Sequence, residues 1–252
     1  MAETAQAVDS MAANAQTKKK RLEGLDICAG YGATQILNGC SITVDGGEIA
    51  VIVGPNGAGK STAMKALFGM LPLTSGSVTL AGNDISSMSP QARVAAGMAF
   101  VPQTNNVFPN LTVEENLDMG AFLRNDDFSK TRDQIYSLFP ILHEKRRQPA
   151  GELSGGQRQQ VAVGRALMTE PTVLMLDEPT AGVSPLVMDE LFDRIIEVRN
   201  TGIAVLMVEQ NARQALEIAD TGYVLVTGEN RFTDTGEALL ANSEVRRTFL
   251  GG

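Results

Sequence analysis

Residues 54–62, Gly54-Pro55-Asn56-Gly57-Ala58-Gly59-Lys60-Ser61-Thr62, follow the apolar run EIAVIV at 48–53 and match the phosphate-loop pattern G-x-x-x-x-G-K-[ST]. A buried strand delivers the chain into a tight turn, where Gly54, Gly57 and Gly59 admit backbone angles that aim successive N–H groups at one anion. The stretch predicts a phosphate cradle. Lys60 would reach the β- and γ-phosphates, the Ser61 hydroxyl would face Mg²⁺, and a helix starting near Lys60 would add its positive end.

Outward from the loop, a helix to about Met70 carries Ala63, Met64, Leu67 and Phe68 on an apolar face before Pro72 stops it. On the other side, residues 25–53 read as short strands with a turn at Asp45-Gly46-Gly47, an antiparallel edge. Further strands are expected at 77–80 and 97–102. Runs 173–176 and 203–208 are continuously apolar and each follows helical sequence, the mark of a parallel α/β core. Residues 222–226 add a strand and 236–250 read as helical. Between 112 and 144 the chain turns charged and helical, opened by a capping box at Thr112–Glu115, so a small helical lobe is expected over about 104–168.

Composition narrows the function. With 252 residues, a formal charge of -8 and a pI near 4.8, the chain offers no broad basic field, so no nucleic-acid partner is expected. Residues 1–21 are Ala-rich and polar and end on Lys18-Lys19-Lys20-Arg21, which reads as a disordered tail. No run of 18 apolar residues could span a bilayer. Cys28 and Cys40 lack metal-ligand company and read as reduced, buried thiols of a cytosolic protein. His143, in a charged run, reads as a solvated surface residue.

Two further motifs carry chemistry. The run VLMLDE at 173–178 brings Asp177 and Glu178 to the C-terminal edge of a buried strand, where Asp177 would hold Mg²⁺ through water and Glu178 would polarise the attacking water. In LSGGQ at 153–157, Ser154 and Gln157 have capping-box spacing, and Gly155 and Gly156 leave amides exposed at a helix start. That makes a second anion site, which one phosphate loop does not need, or a plain helix cap.

The ordered set GPNGAGKST at 54–62, Gln103, LSGGQ at 153–157 and VLMLDEP at 173–179 resembles the ATP-binding-cassette ATPases over about residues 22–250. The resemblance implies an α/β fold with a P-loop NTPase-like parallel core, an antiparallel β edge subdomain and a helical lobe. It also implies ATP and Mg²⁺, and a dimer of cassettes in which Ser154, Gly155, Gly156 and Gln157 of one close over the triphosphate held by the other. Carried over by motif, Gln103 would touch Mg²⁺ and sense the γ-phosphate, and Tyr31 would stack on adenine. Ser184 stands where the family commonly has an aspartate. Gln210 stands where a switch histidine is common, so it can position the γ-phosphate by hydrogen bonding but cannot take a proton.

VEQNA at 208–212 and the stretch 102–117 are similar to ATP-binding subunits of branched-chain amino acid importers, with urea importers close by. That implies membrane permease subunits, an extracytoplasmic solute-binding protein, and a cassette peripheral on the inner face of the membrane. Val107, Phe108 and Leu111 are the expected permease contacts. A soluble cassette ATPase without membrane partners, a nucleotide-gated module with little hydrolysis, and a lipid or lipopolysaccharide exporter subunit are the other readings.

Overall fold

A computed structural model describes residues 20–104 and 106–249. In chain order the hairpin β1 (Lys20–Tyr31) and β2 (Thr34–Asp45) precedes β3 (Ile49–Val53), which enters the phosphate loop, and α1 (Lys60–Phe68), which leaves it. Then come β4 (Leu73–Leu80), β5 (Asn83–Asp84), α2 (Pro90–Ala95) and β6 (Met98–Val101). The lobe supplies α3 (Val113–Gly120), α4 (Ser129–Leu138), α5 (Pro140–Glu144) and α6 (Gly155–Leu167). The core resumes with β7 (Val173–Asp177), α7 (Pro185–Asn200), β8 (Ala204–Val208), α8 (Ala212–Glu217), β9 (Thr221–Val226) and β10 (Glu229–Asp234), and closes with α9 (Gly236–Ala241) and α10 (Ser243–Phe249).

These strands form two sheets. One is antiparallel, in the order β2-β1-β4-β5; the other runs β10-β9-β3-β8-β7-β6, parallel from β9 to β6 with β10 antiparallel on its edge. The chain leaves β3, crosses to β6, steps back through β7 and β8, then passes to the far side of β3 as β9. That reversal sets a crevice at the C-terminal ends of the strands.

Continuous apolar runs are explained by burial on both faces. In β3, Ile49, Val51 and Val53 join the core shared with the lobe and α7, while Ala50 and Ile52 point to the core shared with α1 and the antiparallel sheet. β7 and β8 alternate in the same way, Leu174 and Leu176 against Val173 and Met175, and Val205 and Met207 against Leu206 and Val208. Each such side chain contributes about 1.5–3 kcal/mol on burial, which anchors the loops at the strand ends.

Several boundaries differ from expectation for identifiable reasons. The first strand begins at Lys20, so Lys20 and Arg21 belong to β1 and not to the tail; residues 1–19 lie outside the described residues. α1 ends at Phe68, because Gly69 takes a left-handed φ of 80° and its amide turns back to Ala66 O. Buried Arg93 then donates to the carbonyls of Leu67, Met88 and Ser86, collecting groups the helix end leaves open. The helical C-terminal stretch is two helices, broken at Asn242, whose side chain accepts from Glu244 N and Val245 N to cap the second. Of the two free thiols, Cys40 is buried, and desolvation first and Cys28 second push its pKa up to about 12; Cys28 is only partly buried. His143 is exposed, its ring edge-on to Tyr136.

Candidate functional site

At the end of β3, Gly54 has a φ of 148°, and a Cβ there would collide with the Leu225 carbonyl, so this corner excludes any side chain. Gly59, left-handed at 99°, caps α1. Between them the loop is held from outside by Gly228 N donating to Ala58 O at 2.9 Å. Lys60 folds back across it, Nζ donating to Gly54 O at 2.9 Å and Pro55 O at 3.2 Å, and the residue is only 6% exposed. Burial lowers its pKa, while Glu178 and Asp177 work in the opposite direction. An ammonium with two replaceable carbonyl contacts, in a concavity of about 410 Å³ lined by residues 56–62, Tyr31 and Glu178, fits a polyphosphate. Tyr31 sits 49% exposed at the end of β1, with the Lys65 ammonium 5.9 Å from its ring centroid.

Asp177 lies beside the loop, on the wall of the adjoining groove. It ends β7 nearly buried and accepts from the Ser61 hydroxyl at 3.3 Å. Burial raises its pKa, offset in part by that hydrogen bond and by Lys65 and Lys60. Glu178 follows in a left-handed conformation, φ 49°, with its amide donating to Val208 O at 2.9 Å; its carboxylate accepts from Gln103 Nε2 at 2.7 Å. A non-glycine residue held there stores about 1–3 kcal/mol of strain, a pattern found at working sites. Gln210 is exposed one residue beyond Glu209, past the Val208 that pairs in register with Asp177. The fold thus gathers Tyr31, the 54–62 loop, Gln103, Asp177 and Glu178 at one crevice. Among the described residues no group of three His, Cys, Asp or Glu could hold a metal unaided; the Ser61 hydroxyl and the Asp177 carboxylate beside the loop are oxygen donors of the kind a hard cation takes.

Ser154, Gly155, Gly156 and Gln157 lie apart from that concavity. Both halves of the capping box are made, Ser154 Oγ accepting from Gln157 N at 3.3 Å and Gln157 Oε1 from Ser154 N at 3.1 Å. Ser154 and Gly155 face solvent, whereas a Cβ on Gly156 would collide with Val187.

Glu209 escaped the sequence reading. Only 1% exposed, its carboxylate accepts from Thr180 N at 3.0 Å, Thr180 Oγ1 at 2.9 Å and Gln210 N at 3.1 Å. Burial raises its pKa and those bonds pull it back. A charge ending the otherwise apolar run 203–208 was the available signal. Beside the crevice, a groove of about 820 Å³ runs between α1, β6 and the lobe, lined by Gln103, Phe108, Met119, Phe122 and Arg165, whose guanidinium lies 5.0 Å from the Phe108 ring centroid. Of the three expected contact residues only Phe108 lines it, and Val107 packs against the core.

This arrangement defines a nucleotide-binding cassette, and the chain belongs to the ABC transporter family, whose model matches residues 37–181. It is 44% identical over 223 residues, 88% of this chain and 96% of the relative, to the high-affinity branched-chain amino acid transport ATP-binding protein BraG of Pseudomonas aeruginosa. It is 42% identical over 91% of its length and 98% of the relative to a probable branched-chain amino acid transport ATP-binding protein LivF of Archaeoglobus fulgidus. The lipopolysaccharide export ATP-binding protein LptB of Escherichia coli is 33% identical over 91% of this chain. Among solved structures, an ABC-transporter cassette in its ADP conformation superposes with a TM-score of 0.84 at 29% identity, covering 92% of this chain and 99% of the other. The chain is therefore an ABC-type, nucleotide-binding ATPase subunit of a transporter, a class that works with membrane subunits. No helix among the described residues is long and apolar enough to cross a membrane.

Proposed function

We propose that this chain is the ATP-hydrolysing subunit of an importer of branched-chain or related amino acids, peripheral on the inner face of the membrane. The observation that carries this is the 44% identity extending over 96% of BraG, well above the 33% to LptB. Residues 22–252 act as one ATP-binding domain with the lobe at about 104–168. Lys60 and the amides of residues 54–62 hold the phosphates, Tyr31 offers its ring to adenine, and Ser61, Gln103 and Asp177 hold Mg²⁺, which neutralises charge on the transferring phosphate. Glu178 orients the attacking water; its bond to Gln103 supports one unit that senses nucleotide and performs hydrolysis. Gln210 positions the γ-phosphate.

Ser154, Gly155, Gly156 and Gln157 serve the triphosphate of a second cassette, identical or not, so ATP favours the closed pair and its hydrolysis releases it. The exposed apolar edges of the 820 Å³ groove, Phe108, Met119 and Phe122, are the surface offered to the permease. An extracytoplasmic solute-binding protein selects the solute. The test is uptake of labelled leucine in a strain lacking this chain, with affinity capture of its membrane partners. Loss of uptake restored by the wild-type chain is expected; unchanged uptake, or capture with lipopolysaccharide-export subunits, would overturn the importer reading.

A further inference from the structure

Glu209 stands at a junction that no motif describes. Its backbone amide donates to the carbonyl of Ile52 at 3.3 Å, next to the end of strand β3 where the phosphate loop begins. Its carboxylate binds both the amide and the hydroxyl of Thr180, and the amide of Gln210. Asn211 Nδ2 adds a bond to Thr180 Oγ1 at 3.2 Å, so the two segments are stitched twice. From Thr180 the chain runs on through Val183 to Val187, whose side chain packs against Gly156. A continuous set of contacts therefore joins the loop that holds this chain's nucleotide to the glycines offered to the neighbour's.

Chemistry explains why an acid is needed. Three donors, two of them backbone amides at chain reversals, converge on one buried spot, and a carboxylate has acceptor sites for all of them and no donor to clash. An amide side chain would turn an N–H against an N–H. Removing the acceptor would leave buried donors unsatisfied on both segments at once.

We propose that Glu209 is a positioning residue that makes the Gln210 segment and the turn 178–184 move as one body, coupling the phosphate-loop half-site of this chain to its own Ser154–Gln157 half-site. The inference rests on the two-half-site reading above. Glu209 touches no nucleotide; it acts through Thr180 and Gln210.

The test follows hydrogen exchange of segments 178–184 and 209–212 in the full chain, with and without MgATP, together with ATP affinity and steady-state turnover in the assembled transporter. In Glu209→Gln both segments should exchange at least tenfold faster, in step, while residues 54–62 keep their protection. ATP affinity should stay within twofold, kcat should fall at least tenfold, and Glu209→Asp, which keeps the charge, should restore part of it. Thr180→Val attacks the same tie from the other side and serves if Glu209→Gln does not fold. One segment loosening without the other, or kcat within twofold of wild type, would overturn the coupling. Gln210→Ala keeps the backbone amide that Glu209 binds, so it should slow turnover while both segments keep their protection; loosening of both segments in that variant would assign the tie to the Gln210 side chain and overturn the role of Glu209.

Discussion

The two glycine-rich helix starts of this chain are built to opposite ends. Around Lys60 the loop is enclosed, with its lysine 6% exposed, its Ala58 carbonyl held by Gly228 N, Glu178 on its wall and Asp177 bonded to Ser61. Around Gly155 the capping box is complete, yet Ser154 and Gly155 lie open to solvent. One start is enclosed and the other open. On the proposed reading, in which the open start serves a neighbour's nucleotide, a substitution at each start should fail in a different way.

The largest effect is expected at Glu178. Glu178→Gln keeps the shape and the Gln103 neighbourhood but removes the base, so phosphate release should fall by about 10²-fold or more while ATP is retained. Near-normal turnover would remove Glu178 from the chemistry. Lys60→Ala strikes the cradle itself: losing a charge-assisted hydrogen bond costs about 1.5–3 kcal/mol, so ATP affinity should weaken about 10- to 100-fold in a titration. At the open start, Gly156→Ala forces Val187 aside and should lower turnover about tenfold with the affinity of the separated chain unchanged. If Gly156→Ala weakened binding as much as Lys60→Ala, the two starts would not be separate half-sites.

Much of this contrast was legible in the residues. Motif spacing located Lys60, Asp177, Glu178 and both capping boxes because those features are local, set by a strand end and a three-residue offset. What stayed hidden was long-range. Arg93 carried no signal in the sequence and becomes a buried pin for the end of α1 only once residues 86–93 are seen folded back against Leu67. Glu209 looked like the polar end of a strand, and its partner Thr180 lies 29 residues away. The split of 236–250 into two helices turns on one asparagine, whose cap competes with helix continuation by a margin periodicity does not register.

Asp177 sharpens the comparison through pH. Its folded pKa is raised, mainly by burial, so the unfolded chain loses this proton first as pH climbs. Between the ordinary Asp value near pH 4 and the higher folded value, the native state binds more protons, and this group's contribution to stability is lost as pH rises through that window. Asp177→Asn keeps an oxygen to accept from Ser61 and removes the charge. The empty variant should melt above wild type at pH 7, with the difference closing below pH 4, while MgATP should stabilise it less than it stabilises wild type. A lower melting temperature at pH 7 would mean that Lys60 and Lys65 outweigh the burial cost.

Gln210 carries the smallest expected change. Where the sequence resemblance leads to the expectation of a histidine, this chain places a neutral amide, exposed and held by its backbone to Glu209. If the work there is to hold the γ-phosphate, either side chain can donate the required hydrogen bond, since an imidazole N–H and an amide N–H are both single neutral donors of similar reach. Gln210→His should therefore turn over within about threefold of wild type at pH 8, where an imidazole of ordinary pKa near 6.5 is neutral. Lowering the pH through that value would add a positive charge beside the phosphates and should raise apparent ATP affinity in the variant alone, a change read by repeating the titration at pH 6. Loss of turnover at pH 8 with an unchanged melting temperature would mean that the position demands the glutamine itself, and that hydrogen-bond donation alone does not describe its work.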